Sequence, residues 1–438
     1  MKTNIQYLLF VLIVSTYQIQ AQETQNLSIA DAVHLALENG DAAKITESQI
    51  STATYNVKST KSEAYPDVKL SGQYAYLTNA DVNLKLATSS EEGSSSGASP
   101  DVNQLLLRQA NVSMPLFSGF KLKNAIAASK NALEATNANA TTQKNGIALK
   151  TITDYISLYK AEKTVEMVED NLKRASQRVV DFAAMEANGI LAKNDLLKAQ
   201  LQRSNVQLTL EEARKNRKIL NYTLVTTLKL PSNSTITVNE DSFGALPQTE
   251  LNDSINRSDL QAIAYQEKAA ENEIKIAKSD YYPTIAATGG YIALDLQNAL
   301  TVKNAMNIGV GVSYNLANIF KSGSKVKMAK SKAEELQHTY DQYKDDIKIE
   351  VENAKEEYQL ALKKLEVYLK SEEQASENYR IVKDKYDNGL VDTNDLLEAD
   401  VDQLQSKINL AYARADIALE YYQLLQTEGI LINQFTKN

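Results

Sequence analysis

The sequence predicts a mainly α-helical protein in which long antiparallel helical hairpins alternate with β-hairpins suited to a membrane. Three observations lead to this fold class. Motifs recur along the whole chain at a nearly constant spacing, long proline-free stretches carry a helical apolar stripe, and short runs between them alternate apolar with small or polar residues. A repeat over the whole length indicates one architecture built twice rather than several unrelated domains.

The N-terminal segment predicts a secretory signal peptide over residues 1–21. It has a single charge, Lys2, an apolar run from Leu8 to Val14 and a small residue, Ala21, at its end. Such a run is too short to span a bilayer as a helix, which needs about 20 residues. Because the sequence has no cysteine, we expect an exported chain without disulfides and without a lipid on a cysteine after the signal.

The repeat is clearest in one phrase, NGILAKNDLLKAQ at 188–200, which returns 200 residues later as NGLVDTNDLLEAD at 388–400. Nearer the N-terminus the spacing is 217 residues, since Tyr65 and Pro66 match Tyr282 and Pro283. We therefore place a first repeat at 22–230, a linker at 231–252 and a second repeat at 253–438.

The first repeat is longer by 17 residues, the difference between the two spacings. The extra residues fall between Pro66 and Ser113, an interval that contains SSEEGSSSGASP at 89–100. A Ser/Gly-rich stretch buries too little apolar surface to order itself strongly. We expect an enlarged surface loop at this position.

The long helices are predicted from the segment between Lys121 and about Ala187, which has no proline and only one glycine, Gly146. Its apolar positions step by three and four, as in a helix: Val165, Val168, Leu172, Ala175, Val179 and Phe182. At 1.5 Å per residue this helix would be about 100 Å long. Such helices outrun a compact core, so they must pack lengthwise on each other.

The remaining helices complete two antiparallel hairpins. The partner of the first long helix is predicted from Gly189 to about Lys229, and the second copy repeats the pair over about 321–388 and 390–433. Each hairpin turns back at one of the two repeated phrases.

Four runs predict β-strands with one apolar face. The clearest are DVKLSGQYAYL at 67–77 and MNIGVGVSYNL at 306–316, and weaker versions lie at 104–117 and 284–294, where Arg108 fits a lipid-facing position poorly. Aromatic residues cluster at the run ends, as at membrane interfaces: Tyr65, Phe117, Tyr281, Tyr282 and Phe320. Alternation of this kind suits a membrane barrel, but four strands are fewer than the minimum of about eight. The barrel would be shared among subunits.

Other classes of function find little support in the sequence. With a formal charge of −8 and no basic cluster, the chain is a poor candidate for nucleic-acid binding. His34 and His338 are the only histidines, and neither has neighbours with metal-ligand spacing. There is no phosphate-binding glycine loop. We expect no catalytic residues, no metal site and no cofactor.

The pattern as a whole resembles the outer membrane efflux protein family, the TolC-like channels. The resemblance covers about residues 27–433 and depends on LSIADAVHLALENG, EAYPDVKLSGQY, MPLFSGF, DYYPTIAATGGY and the two repeated phrases in this order. It implies a homotrimer with a shared twelve-stranded β-barrel in the outer membrane of a Gram-negative bacterium and a helical barrel through the periplasm. It also implies a periplasmic adaptor and an inner-membrane pump as partners, and a passive exit duct for efflux or type I secretion. The cargo cannot be read from the sequence.

The repeated phrases would then be the two periplasmic tips. Glycine at each turn can supply the positive φ of a helix C-terminus. The two tips are the only duplicated loops at the end opposite the membrane strands, so we expect the adaptor to dock at the tip residues Gly189, Ile190, Gly389 and Leu390. The polar residues that follow have two readings. They cap the returning helix, or Asp395 and Glu398, one turn apart, form a ring of carboxylates in the trimer that attracts cations.

The family resemblance implies an acidic constriction at the second tip and a tyrosine, here Tyr386, that takes part in closing it. Two positions differ from the family: Glu398 stands where Asp is familiar, and Val391 stands where an Arg can hold the gate closed. The first tip offers Asp195, but Lys198 occupies the position equivalent to Glu398. We therefore assign Asp195 the smaller part.

A secreted periplasmic coiled-coil scaffold without a pore is the alternative. It would account for the helices and the signal segment. It does not explain why two alternating hairpins interrupt the helices at equivalent places.

Overall fold

The computed structural model describes residues 24–80, 102–238, 243 and 257–435. The predicted signal peptide, the Ser/Gly-rich stretch 89–100 and residues 239–242 and 244–252 of the predicted linker lie outside the described residues. The chain divides into two compact units. The first comprises Met1–Ser48, Ala138–Leu260 and Gln342–Asn438, and the second comprises Gln49–Asn137 and Gln261–Asp341.

The described helices, in chain order, are α1 Ile29–Asn39, α2 Asp41–Ser62, α3 Lys121–Ala187, α4 Lys193–Thr227, α5 Ser258–Ser279, α6 Asn318–Asp387 and α7 Thr393–Thr427, followed by a 3₁₀ turn at Leu431–Gln434. The described strands are β1 Thr24–Asn26, β2 Asp67–Ala80, β3 Val102–Ser118, β4 Thr235–Thr237, β5 Thr284–Leu296 and β6 Leu300–Ser313. The long helical pairs α3/α4 and α6/α7 and all four predicted strands are confirmed.

The longest helices are α3 and α6, with 67 and 70 residues. Both are free of proline, and their only glycines are Gly146 and Gly323, so nothing in either sequence breaks the helical hydrogen-bond ladder. Among the described residues, no helix has both the length and the apolarity needed to cross a bilayer.

The predicted end of α7 near Asn433 is wrong, because the helix stops at Thr427. Gly429 takes a φ of 78°, and the N–H of Ile430 donates to the carbonyl of Leu425 at 2.9 Å. This is the Schellman arrangement that ends a helix. Lys229, at a φ of 58°, ends α4 in the same way.

The core of the first unit is built from α1, α3, α4, α7 and the segment around β4. Tyr155 on α3 is fully buried, and its hydroxyl donates to the carbonyl of Leu27 at 2.7 Å. Ala415 and Ala418 on α7 are small and fully buried, which allows neighbouring backbones to approach closely. The sequence did not indicate β1 or β4, which pair in parallel from Thr24 opposite Thr235.

The second unit contains an antiparallel four-stranded sheet in the order β2-β3-β5-β6. Asp67 lies opposite Ser113, Ser113 opposite Thr288, and Thr284 opposite Ser313. The sheet thus joins the hairpin of one repeat to the hairpin of the other through β3 and β5. Within the described residues, β2 and β6 each have a neighbour on one side only.

The two repeats agree closely where a helix leads into a strand and differ where a strand leads into a helix. The N–H groups of Tyr65 and Tyr282 make matching 3.0 Å bonds to the carbonyls of Ser62 and Ser279. In contrast, Phe120 precedes α3 with a φ of 65°, whereas Phe320, its counterpart in the sequence, lies inside α6.

Candidate functional site

The first helix of each tip ends with the same hydrogen bonds, although only part of the tip sequence is shared. Gly189 and Gly389 both have a φ of 72°. The N–H of Ile190 donates to the carbonyl of Met185, and that of Leu390 to the carbonyl of Lys385, both at 2.9 Å. These are Schellman motifs, so the positive φ predicted at both glycines is confirmed.

The asparagine before each glycine adds a second shared bond. The side-chain amides of Asn188 and Asn388 donate to the carbonyls of Ala184 and Asp384, each at 2.7 Å. Each of these carbonyls also accepts from the backbone N–H of the same asparagine at 3.3 Å, so the asparagine contacts the last helical turn with both its backbone and its side chain. The phrase Asn-Gly therefore serves as a helix terminator in both repeats.

The turn residues themselves are open to solvent within the chain. Ile190 and Leu390 are 71% and 73% exposed, and a Cβ added at Gly189 or Gly389 would meet no atom within 4 Å. Each tip therefore presents one large apolar side chain that is mostly exposed within the chain.

Asp395 is part of a capping box at the start of α7. The side chain of Asp392 accepts from the N–H groups of Asn394 and Asp395 at 2.7 and 3.1 Å. In return, the Asp395 carboxylate accepts from the N–H of Asp392 at 3.3 Å. The capping interpretation of Asp395 is therefore supported, with Asp392 as the N-cap residue.

Sequence reasoning missed Asp392, although an acidic residue three positions before Asp395 is a recognisable capping signal. Its backbone hydrogen bonds from Asp395 and Asn394 lower the pKa of the Asp392 carboxyl. The first tip has no equivalent, since α4 begins after Ala192, whose side chain makes no cap bond.

The other predicted gate residues lie at the same end of the first unit. Glu398 is exposed one turn after Asp395. Asp195 forms an ion pair with Lys198, with 3.3 Å between Oδ1 and Nζ, so a neighbouring positive charge already offsets its carboxylate. This contact agrees with the smaller part assigned to Asp195.

Tyr386 packs by its ring rather than by its hydroxyl. The ring stacks on Phe182 with the centroids 5.6 Å apart, whereas the hydroxyl lies 3.5 Å from the hydroxyl of Thr393. Burial raises the pKa of the Tyr386 phenol, and the negative charge of Asp195 adds to this effect. Tyr386 therefore links the second tip to α3 of the first hairpin as a neutral side chain.

A buried ion cluster lies next to this aromatic pair, and sequence reasoning missed it. Asp400 on α7 is 1% exposed and accepts from Asn171 and Arg178 on α3, both at 3.2 Å. Arg174 lies 3.7 Å from its second carboxylate oxygen. Two features of the sequence could have indicated this cluster. Asp400 directly follows Ala399, and Arg174 and Arg178 lie one helical turn apart beside the apolar stripe of α3.

The cluster and the aromatic pair border a cavity of about 490 Å³. The cavity is lined by Arg174, Gln177, Arg178, Asp181, Phe182, Met185, Tyr379, Lys383, Tyr386, Asp387 and Leu396. Its walls therefore combine aromatic rings with charges of both signs. The structure brings together Tyr386, Asp195 and the start of α7 in one chain. A ring of carboxylates would require further copies of this chain.

The histidines are helix residues, as predicted. His34 lies on α1 beside Glu38, and His338 is exposed on α6. Within the described residues, no group of three or more His, Cys, Asp and Glu side chains could hold a metal ion.

Comparison with known proteins assigns the chain to a family. The family model described as outer membrane efflux protein matches residues 32–228 and 253–429. The outer membrane efflux protein BepC of Brucella suis is 21% identical over 318 residues, which are 72% of this chain and 70% of BepC.

Solved structures of outer membrane channels share the fold. VceC of Vibrio cholerae has a TM-score of 0.72 at 15% identity, covering 92% of this chain and 96% of VceC. CmeC of Campylobacter jejuni has a TM-score of 0.74 at 16% identity, covering 92% of this chain and 86% of CmeC. The fold is that of the TolC-like channels, mainly helical with a membrane β-sheet, and its place is the outer membrane with an extension into the periplasm. The chain therefore belongs to the outer membrane efflux protein family.

Proposed function

We propose that three copies of this chain form the exit duct of a tripartite efflux or type I secretion system. The duct conducts its cargo passively from an inner-membrane pump and a periplasmic adaptor to the cell exterior. The two repeats, 22–230 and 253–438, each supply one β-hairpin and one helical hairpin. The channel has no catalytic step and no nucleic-acid partner.

The observation that carries this proposal is the open four-stranded sheet. Its edge strands β2 and β6 lack a neighbour on one side within the described residues, while Ile308 and Val310 on β6 are 95% and 65% exposed. In a bilayer, unpaired backbone groups cost several kcal/mol each. Pairing β6 of one copy with β2 of the next removes both edges, and three copies make twelve strands.

The proposed docking surface for the adaptor is the pair of tips, with Gly189, Ile190, Gly389 and Leu390 at its centre. Support comes from the exposed Ile190 and Leu390 and from the open space that a Cβ added at either glycine would find among the described residues. The two tips share one backbone geometry, so one type of helical partner could contact both.

The proposed gate consists of Asp395, Glu398 and Tyr386, with a smaller part for Asp195. Threefold symmetry would gather six carboxylates from Asp395 and Glu398 around one axis, and such a ring attracts cations. An Arg is absent at Val391, so closure depends on other contacts, among which the Tyr386–Phe182 stack is available.

The test of the proposed function is the mass and conductance of the full chain extracted from membranes in detergent. We expect three copies per particle and ion conduction after insertion into a planar bilayer. A chain that fractionates without detergent as a monomer, and conducts no ions, would instead be the coiled-coil scaffold.

A further inference from the structure

Arg108 lies on the same face of the sheet as the exposed apolar side chains. Its partners across the strands are Gly72 on β2 and Ala293 on β5, and residues paired in this way share a face. Two residues closer to Ser118 on β3, Ala110 lies opposite Leu70 and Tyr291 on that same face. An exposed arginine therefore stands at the end of an apolar surface.

The polarity of this face changes at the level of Arg108. Toward Ser118 the face carries exposed apolar side chains: Val68, Leu70, Val112, Met114, Met306, Ile308, Val310 and Val312. Toward Val102 polar groups enter the face, since Gln104 lies opposite Tyr76, and Leu106 lies between Tyr74 and Asp295. Asp295 accepts from the hydroxyl of Thr301 at 3.0 Å, so this part of the face mixes polar groups with aromatic and apolar side chains.

The other face of the sheet changes in the opposite direction. Toward Ser118 it carries polar residues such as Asn111 opposite Lys69. Toward Val102 it carries leucines in pairs, with Leu107 opposite Leu294 and Leu105 opposite Leu296. An alternating strand embedded in lipid over its whole length would keep one face apolar throughout, so only part of this sheet fits a lipid environment.

An aromatic cluster marks the opposite end of the apolar face. The rings of Phe117, Phe120 and Tyr282 meet edge to face, with centroids 5.2 to 6.5 Å apart. Phe120 is 54% exposed, and its φ of 65° is unusual for a residue with a side chain. Aromatic side chains favour the boundary between lipid and water.

The distance between these two levels matches a bilayer. Arg108 lies opposite Ala293 and Phe117 opposite Ile285, so the two levels are eight residues apart on β5, because β3 has a register shift between Pro115 and Phe117. Eight residues are about 27 Å along a strand, and with strands tilted by about 40° the height is about 21 Å, against an apolar band of about 25 Å in membrane barrels. An arginine on the lipid face is costly at the bilayer centre and nearly neutral at the interface, so the level of Arg108 agrees with its charge.

We infer that acyl chains of the outer membrane cover this face only between the levels of Arg108 and Phe117, a surface that we name the lipid band. The segments of β2, β3 and β5 beyond Arg108 then project out of the membrane on the outer side, with Arg108 among the lipid headgroups. The inference rests on the proposed membrane barrel and adds its boundaries.

The chain contains no tryptophan, so a single introduced tryptophan reports its own surroundings. Ile308 and Gln104 are matched positions on one face, because Ile308 lies at the level of Val112, four residues below Arg108, and Gln104 lies four residues above it. Full-length Ile308→Trp and Gln104→Trp are reconstituted into vesicles of phosphatidylcholine brominated at mid-chain. Phe120→Trp is added to test the other boundary.

We expect brominated chains to quench Ile308→Trp several-fold and to leave Gln104→Trp nearly unchanged. Phe120→Trp should be quenched more by bromine near the headgroup than by bromine at mid-chain. Equal quenching of Gln104→Trp and Ile308→Trp would overturn the boundary while the barrel stands. No quenching at either position would overturn the membrane barrel itself. If Gln104→Trp does not insert, Tyr76→Trp reports the same level with an aromatic replaced by an aromatic.

Discussion

The ring of Tyr386 stacks on the ring of Phe182, with centroids 5.6 Å apart and planes inclined by 23°. Tyr386 is near the end of α6 and Phe182 near the end of α3, so this contact joins the two helical hairpins just before their tips. Ala199 and Leu396 belong to the same apolar cluster. The position of the second tip therefore depends on a ring contact as well as on the polar groups around it.

Tyr386→Phe should preserve the geometry of the second tip, and Tyr386→Ala should loosen it. The hydroxyl contact to Thr393, at 3.5 Å, is at the limit of a hydrogen bond, whereas an aromatic pair contributes about 0.5–1.5 kcal/mol beyond its burial. The measurement is resting conductance in planar bilayers at equal trimer yield. Equal conductance of the alanine and phenylalanine variants would exclude the ring contact as a determinant of closure.

Asp400→Asn should destabilise the tip region by about 3–5 kcal/mol, the usual effect of removing one partner from a buried ion pair. The substitution keeps the shape of the side chain but leaves Arg174 and Arg178 without their carboxylate. Hydrogen exchange of α7 amides near residue 400 would measure the change as faster local opening.

Asp402→Asn is the matched control for this experiment, since Asp402 lies two residues away on the same helix and is exposed. Its exchange rates should stay close to those of the parent. Similar acceleration in both variants would mean that the loss of negative charge, and not the buried cluster, is responsible.

Much of this architecture could be predicted because it depends on local signals. The terminators at Gly189 and Gly389 need only a residue tolerant of positive φ, and the strands need only alternation. The pairing of Asp400 with Arg178 could not be predicted, since it joins positions 222 residues apart and depends on how two helices pack. The proposed lipid boundary at Arg108 could not be predicted from the sequence either, because it depends on the register of three strands.

Gly389→Val should impair efflux more than it impairs assembly. A β-branched residue at a φ of 72° costs about 1–3 kcal/mol in local strain, but a Cβ there meets no atom within 4 Å. The defect should therefore be confined to the turn that we propose as a docking surface. Gly146→Val, at a mid-helix glycine whose added Cβ also meets nothing, is the control.

The readout for Gly389→Val is cargo efflux in cells, normalised to the amount of trimer in the outer membrane. Leu390→Asp provides a second test, because it removes the exposed apolar side chain without changing the backbone requirement. Normal efflux by both variants at normal trimer levels would refute docking at this tip.

Acid should weaken the ion pair between the Asp259 carboxylate and the Arg257 guanidinium in the first unit. Burial alone would raise the pKa of this carboxyl, but hydrogen bonds and charge from Arg257 outweigh it and the pKa is lowered. Because the folded pKa is the lower one, the stabilisation is present above the ordinary Asp pKa of about 3.9 and is lost as the pH falls through the lowered value.

The check on Asp259 is the thermal unfolding midpoint of the detergent-solubilised protein between pH 7 and pH 3. Asp259→Asn should lower the midpoint at pH 7 and should flatten its decline in acid. The Arg257 guanidinium would still contact Glu350 at 2.6 Å, so the variant removes only one of the two carboxylates that pair with Arg257. An unchanged slope would assign the acid sensitivity to other carboxyls.

Asp395→Asn combined with Glu398→Gln should reduce the cation preference of the open channel. Both changes remove charge at nearly constant shape. The asparagine side chain introduced in place of Asp395 retains an oxygen that can accept from the N–H of Asp392, so the cap at the start of α7 is kept. Salt screens charges over about 8 Å at physiological ionic strength, which makes the effect largest in dilute salt. The measurement is the reversal potential across a salt gradient in planar bilayers.

Asp392→Asn separates a specific ring from general negative charge at the tip. It removes one carboxylate from the same turn, while asparagine is as good an N-cap residue as aspartate. We expect Asp392→Asn to change the reversal potential less than the double variant, and Asp195→Asn to change it least, since Lys198 already lies 3.3 Å from that carboxylate. If all three variants shift the reversal potential equally, the tip acts as a diffuse acidic surface and Asp395 serves α7 as a capping residue alone.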